Sequence, residues 1–205
     1  MNRPRDAVAQ GDAGHGADIA LLGTSADPPT LGHQALLEGL LRRFPKVATW
    51  ASDNPVKQHG ASLPARASLL AALVAALDDP RLELAQELSS PWAITTLERA
   101  AARWPQHQLV FVVGSDLVAQ IPRWKDAGEV LRRCRLAIVP RHGWPLSPAG
   151  LEHLAQLGGR VEQLPLAIPA TASSSVRRQP CREQVPAAVW SLLLKHNLYG
   201  LAADC

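Results

Sequence analysis

Short apolar runs alternate with leucine stripes from residue 19 onward, and the two periods separate strands from helices. The run IALLG, residues 19–23, is continuously apolar and stops on Gly23, as suits a strand buried on both faces. Leucines 36, 37, 40 and 41 in LGHQALLEGLLRRF keep to one helical stripe. VATWA predicts a second buried strand, and Pro64 opens a long helix through LLAALVAAL, because proline is tolerated in a first turn. RLELAQ predicts a third strand and ITTLERAAARW a further helix. QLVFVVG, β-branched and aromatic residues bounded by Gly114, is the strongest strand in the chain. Two short helices are expected over residues 116–120 and 127–133. After them come a fifth strand in RLAIVP, a helix in LEHLAQLGG and a weaker sixth strand in RVEQL. The last helices fall at residues 174–178 and in AAVWSLLLKHN.

Strands alternating with helices predict an α/β fold, a doubly wound and mainly parallel sheet of the Rossmann-like kind. No internal repeat or linker divides it, so a single domain is read over residues 19–205. Residues 1–18, rich in Gly, Ala and Asp, are read as a flexible tail. Ligands of such sheets collect beyond the carboxyl ends of the strands, which directs attention to the loops after Gly23, Ala51, Gly114 and Val139.

Composition narrows the ligand. Of 205 residues, 47% are hydrophobic and 19% charged, enough apolar material for a sizeable core. The formal charge is +3, with no dense basic run interleaved with aromatics, so an anionic small molecule is favoured over nucleic acid. Cys134, Cys181 and Cys205 are odd in number and form no CxxC pair or metal-ligand spacing, which suits free thiols in a reducing compartment. No run reaches the ~20 apolar residues needed to span a bilayer, and the first 18 residues hold no apolar stretch of signal-peptide length. A cytoplasmic protein is expected, with a homo-oligomer left open.

The most informative segment is GTSADPPTLGH, residues 23–33, which leaves the first strand and enters the first helix. Gly23 and Gly32 let backbone approach a ligand closely. Thr24, Ser25 and Thr30 offer hydroxyls, and the free amides of the incoming helix face the same anion-binding space. His33 lies about one turn into that helix and can point back toward a phosphate. Each residue has a structural alternative, Thr30 as a helix cap for instance, but the whole string is distinctive.

The string resembles the (His/Thr)-x-Gly-His signature of the nucleotidyltransferase superfamily, here Thr30-Leu31-Gly32-His33. Its GTSADPP lead-in is similar to that of bacterial nicotinate-mononucleotide adenylyltransferases, in a cyanobacterial-like variant. Thr30 stands where family enzymes often carry His, which leaves more of the electrostatic work to His33 and other cations. DNPVK, residues 53–57, resembles the family's Asn-Pro-x-x-Lys loop, and LPARASLL its Leu-x-x-Arg helix entry, where Arg66 is either a family position or a structural arginine. WAITTL resembles the family's Tyr-Thr-x-Asp-Thr-Leu helix start, with Trp92 on the tyrosine and Thr95 on the aspartate. VVGSD matches the Gly-(Ala/Ser)-Asp that touches the adenosine of ATP. PRWKD resembles the segment whose tryptophan covers the pyridine. VPRHG places Arg141 after the fifth strand, and TASSSVRR resembles Ile-Ser-Ser-Thr-x-Ile-Arg, with Ala172 where a serine would stand.

The resemblance implies adenylyl transfer from ATP to nicotinate mononucleotide, releasing pyrophosphate. His33, Thr30, Lys57 and Arg177 would carry the catalysis. Gly23, Thr24, Ser25, Gly32, Gly114, Asp116, Ser173 and Ser174 would bind ATP. Asn54, Trp92, Trp124 and Arg141 would bind the mononucleotide. Mg²⁺ would be held through the ATP phosphates with no protein ligand set. The competing readings are an enzyme preferring the amide mononucleotide and a nucleotide-binding regulator whose catalytic set has decayed. The second draws on Thr30, Thr95 and Ala172, and is opposed by the joint presence of His33, Lys57, Asp116 and Arg177.

Overall fold

The computed structural model describes residues 17–54 and 57–201. Six strands, β1 (Asp18–Thr24), β2 (Lys46–Ala51), β3 (Leu82–Leu84), β4 (Gln108–Gly114), β5 (Arg135–Val139) and β6 (Arg160–Gln163), form one parallel sheet in the order β3-β2-β1-β4-β5-β6. The apolar runs are continuous because both faces of the sheet are covered. Ile19 and Leu21 of β1 point into one core with Leu97 of α3 (Ala93–Arg103), Leu131 of α4 (Ala127–Arg133) and Leu154 of α5 (Pro148–Gln156). Ala20 and Leu22 point into the other, with Leu37 and Leu40 of α1 (Leu31–Leu41), Leu70 of α2 (Leu63–Leu77) and Leu193 of α7 (Ala187–Lys195). A last short helix, α6 (Ser173–Arg178), sends Val176 into that second core.

The doubly wound fold expected from the sequence is thus present, with all six strands in place. Three details differ. The strand expected in RLELAQ ends at Leu84, because Gln86 turns inward and its side-chain amide takes over the pairing. Gln86 Oε1 accepts Ala51 N–H and Gln86 Nε2 donates to Ala51 O, both at 2.9 Å. The helix expected at residues 116–120 is replaced by two 3₁₀ turns, Ser115–Leu117 and Ile121–Arg123. Their amides bond three residues back, Gln120 N–H to Leu117 O at 2.8 Å and Trp124 N–H to Ile121 O at 3.0 Å, which is 3₁₀ closure. The first strand begins at Asp18 rather than Ile19, since Asp18 pairs with Gln108 and its carboxylate accepts from Arg135 at 2.5 Å. Of the tail read over residues 1–18, residues 1–16 fall outside the described residues, and Asp18 belongs to β1. Among the described residues, no helix is long and apolar enough to cross a membrane.

Strand order reverses at β1. The chain steps outward from β1 to β2 and β3, then returns to dock β4 on its other side. The loops after β1 and β4 therefore part at their carboxyl ends, opening the crevice where ligands of such sheets bind.

Candidate active site

The loop after β1 forms one wall of that crevice. Gly23 has to be glycine, since an added Cβ would lie 2.8 Å from the Trp50 ring. Thr24 O accepts Ser52 N–H at 2.7 Å, tying the β1 loop to the β2 loop. Arg66, 1% exposed, anchors both from below. Its Nη1 donates to Ser25 O at 2.6 Å and Ser52 O at 2.9 Å, and its Nε to Ala61 O at 3.3 Å. Arg66 is therefore the structural arginine of the two alternatives.

At the head of α1, His33 folds back onto Thr30. Its Nδ1 accepts the Thr30 backbone N–H at 3.1 Å and lies 2.9 Å from Thr30 Oγ1. This is the place that Glu or Gln takes in a capping box. Thr30 Oγ1 gives its one proton to Thr171 O at 3.0 Å, so its approach to Nδ1 is a close contact and not a second hydrogen bond, and Gly32 N–H donates to Thr171 Oγ1 at 2.8 Å. A Cβ on Gly32 would come within 2.9 Å of that hydroxyl. Thr30 is thus committed to holding His33 and the segment before α6, and it touches a phosphate only if that lock opens.

His33 is partly buried, and that burial lowers its pKa from 6.5 to about 4, helped by the nearby Arg141 charge. A neutral imidazole whose Nδ1 accepts carries its proton on Nε2, a tautomer assigned from the hydrogen-bond pattern. This corrects the expectation that His33 brings positive charge. In the ligand-free protein it is a neutral donor, and the charge beside it comes from Arg141. In the unfolded chain the same histidine protonates near pH 6.5. Its contribution to stability is therefore present above that pH and is lost as pH falls toward 4. In NMR titration of ligand-free protein the His33 ring should keep its neutral shifts below pH 5. A midpoint at pH 6 or above would contradict the burial seen here.

The opposite wall follows β4. Ser115 Oγ donates to Trp144 O at 2.7 Å and accepts Arg141 N–H at 2.9 Å, closing a tight turn in which Gly143 has φ 80°. Arg141 Nη1 reaches Asp116 Oδ2 at 2.9 Å. Gly114 leaves room for this pair, since a Cβ there would collide with Asp116 Oδ1 and approach Arg141 Cδ at 2.7 Å. Arg141, expected on the mononucleotide, thus stands with Asp116 and near His33, at the centre of the cleft.

The third side is α6. Ser173 Oγ donates to Pro28 O at 2.8 Å, so this hydroxyl fastens α6 to the β1–α1 loop, while Ser174 is exposed. Arg177 Nη1 donates to Asp27 O at 2.7 Å and lies 3.3 Å from Asp27 Oδ2. Lys57 is exposed on the β2 loop, and its backbone N–H donates to Asn54 O at 3.1 Å. Farther out, Trp92 is 48% exposed with Lys125 Nζ 5.5 Å from its ring centroid. Trp124 is half-buried and meets Phe111 edge-on at 6.2 Å between centroids. The fold gathers the expected Thr30, Gly32 and His33 with Arg141 and Asp116, and ties Arg177 and Ser173 to the same loop. It gives no direct contact between Trp92 or Trp124 and these groups.

A family model described as cytidylyltransferase-like matches residues 21–180. The chain belongs to the cytidylyltransferase-like family. Every residue of the cleft named above lies inside the span matched to that family. Among curated relatives, the chain is 40% identical over 198 residues to a Synechocystis protein named "Probable nicotinate-nucleotide adenylyltransferase", covering 88% of this chain and 98% of that one. A Thermus thermophilus protein of the same name is 32% identical over 197 residues, again 88% and 98% of the two chains. Among solved structures, Plasmodium falciparum nicotinic acid mononucleotide adenylyltransferase complexed with NaAD superposes with a TM-score of 0.73. It is 17% identical, covering 92% of this chain and all of the other, and so reports a shared fold.

Sequence reasoning passed over Asp27 as part of a lead-in, and it assigned no part to Thr171, His59 or Tyr199. A cytidylyltransferase-like chain shows its signature as a contiguous string, whereas these residues meet it only through the fold. The one available signal was the Asp27-Pro28 step itself, a polar residue amid the glycines and prolines of a ligand loop.

Proposed function

We propose that the protein transfers the adenylyl group of ATP to nicotinate mononucleotide, giving nicotinate adenine dinucleotide and pyrophosphate. The observation that carries this reading is the His33 lock. A neutral imidazole, fixed at Nδ1 by Thr30, keeps its Nε2–H as a preorganised donor at the switch point, with Arg141 beside it. The names carried by the Synechocystis and Thermus relatives support the choice of acceptor.

In this reading the 5′-phosphate oxygen of the mononucleotide attacks the α-phosphorus of ATP in line, and the bond from that phosphorus to the bridging oxygen breaks. The substrate is the nucleophile, so no covalent enzyme intermediate forms. The protein aligns two polyanions and stabilises charge where it builds. His33 donates to the α-phosphate, and Arg141 adds positive charge there. Arg177 and Lys57 neutralise the departing pyrophosphate, while Gly114 and Asp116 receive the adenosine end. Magnesium bound through the ATP phosphates and water would neutralise further charge. Asp27 and Asp116 are tied to Arg177 and Arg141.

Lys125, itself part of the PRWKD segment and poised over Trp92, supports a cation on the side assigned to the pyridine. We therefore expect nicotinate mononucleotide to have the higher kcat/KM when pyrophosphate release is measured with each mononucleotide. A higher value for the amide would reverse the assignment, and no release with either would remove the reaction.

A further inference from the structure

Asp27 is 1% exposed, yet it holds three different parts of the chain at once. Its Oδ2 accepts Gly60 N–H at 2.7 Å and its Oδ1 accepts Ala61 N–H at 3.1 Å, fixing the turn that precedes α2. Tyr199, near the C-terminus of the described chain, donates its hydroxyl to Oδ1 at 2.7 Å. Arg177 of α6 lies against both Oδ2 and the Asp27 carbonyl. His59 Nδ1 stands 3.7 Å from Oδ2. Burial, followed by the Arg66 charge, pushes its pKa below 6.5. Arg177, at 3.3 Å, is the permanently charged group in contact with this carboxylate.

The packing around the cluster leaves little slack. A Cβ on Gly60 would fall 2.7 Å from Arg177 Cδ and 2.9 Å from the Tyr199 ring, so the turn closes against both side chains. Burial and the hydrogen bond to Asp27 push the Tyr199 pKa well up, so it stays a neutral donor. Arginine side chains lose much rotamer freedom when fixed. Here that freedom is already removed at Nη1, while Arg177 as a whole remains 30% exposed and can present its remaining N–H groups to a ligand.

We propose that Asp27 is a positioning residue, which with Tyr199 as its clamp aims Arg177 at the leaving pyrophosphate. The inference rests on Arg177 acting as a phosphate ligand in the reaction above. A buried carboxylate beside a catalytic cation reduces its net charge, and the gain is geometric: the guanidinium waits in one place rather than sweeping the cleft. Misplacement of a catalytic group by about 1 Å can cost on the order of 100-fold in rate.

The test is a double-mutant cycle on pyrophosphate release, with melting temperatures for every protein. Asp27→Asn and Arg177→Ala should each lower kcat about tenfold to 100-fold. In the Arg177→Ala background Asp27→Asn should cost less than about threefold more, because it has nothing left to aim. Tyr199→Phe should show the same dependence with a smaller loss, and it serves if Asp27→Asn does not fold. Losses that multiply in both cycles would mean that Asp27 only stabilises the fold, and would overturn the proposal. A wild type that releases no pyrophosphate would overturn the reaction beneath it, a result distinct from multiplying losses in an active enzyme.

Discussion

His33→Ala is expected to lower turnover on the order of 100- to 1000-fold, about 3–4 kcal/mol, while weakening ATP binding far less. Nε2–H is useful mainly when charge gathers on the α-phosphate, and an interaction made chiefly in the transition state appears in kcat. Thr30→Ala should cost less. It removes the Oγ1 contact and the bond to Thr171 O but leaves the backbone N–H on Nδ1, so His33 keeps its hydrogen-bonded anchor. Single-turnover rates, ATP affinity and melting temperature of both variants separate this from a structural histidine. Near-normal turnover in folded His33→Ala would remove His33 from the mechanism.

Arg66→Met should cost about 3 kcal/mol of folding stability, lowering the melting temperature by roughly 6–12 °C for a chain of this size. Methionine fills much of the same space but leaves the carbonyls of Ser25, Ser52 and Ala61 without their donor. Unmade bonds of this kind cost more than made ones contribute, because buried oxygens cannot recover water. Those carbonyls belong to both ligand loops, so ATP affinity should fall with stability. Thermal denaturation within 2 °C of the wild type would show that water reaches them.

Much of this was legible because it is local. QLVFVVG announces its strand in seven consecutive residues, and TLGH shows the donor of the cleft in four. Of the three places where the structure departs from local reading, two have a plain physical cause. Gln86 mimics a strand with its side chain, and Asp18 extends β1 by pairing with Gln108. What stayed hidden is relational. Thr171 meets Thr30, and Tyr199 meets Asp27, across most of the chain. No periodicity encodes that Thr171, rather than any other hydroxyl, will fasten Gly32. The charge state of His33 was hidden for the same reason, since burial and Arg141 set it, and both come from the fold. The assigned roles of Trp92, Trp124, Lys57 and Asn54 rest on resemblance.

The sheet order also sets when binding becomes available. Ile19 pairs with Lys46 on one side and with Leu109 on the other. The first pairing closes a short stretch of chain and the second a long one, which is the slower event. The crevice lies along that second seam, and Thr171 and Arg177 join still later in sequence. A nascent chain that has released only its first half thus carries the signature string without the pocket. Nucleotide can stabilise the assembled sheet by mass action, but it has nothing to hold in the early intermediates. Protection of this protein by its own substrate is accordingly a property of finished molecules, and synthesis must pass through a stage that the substrate cannot rescue.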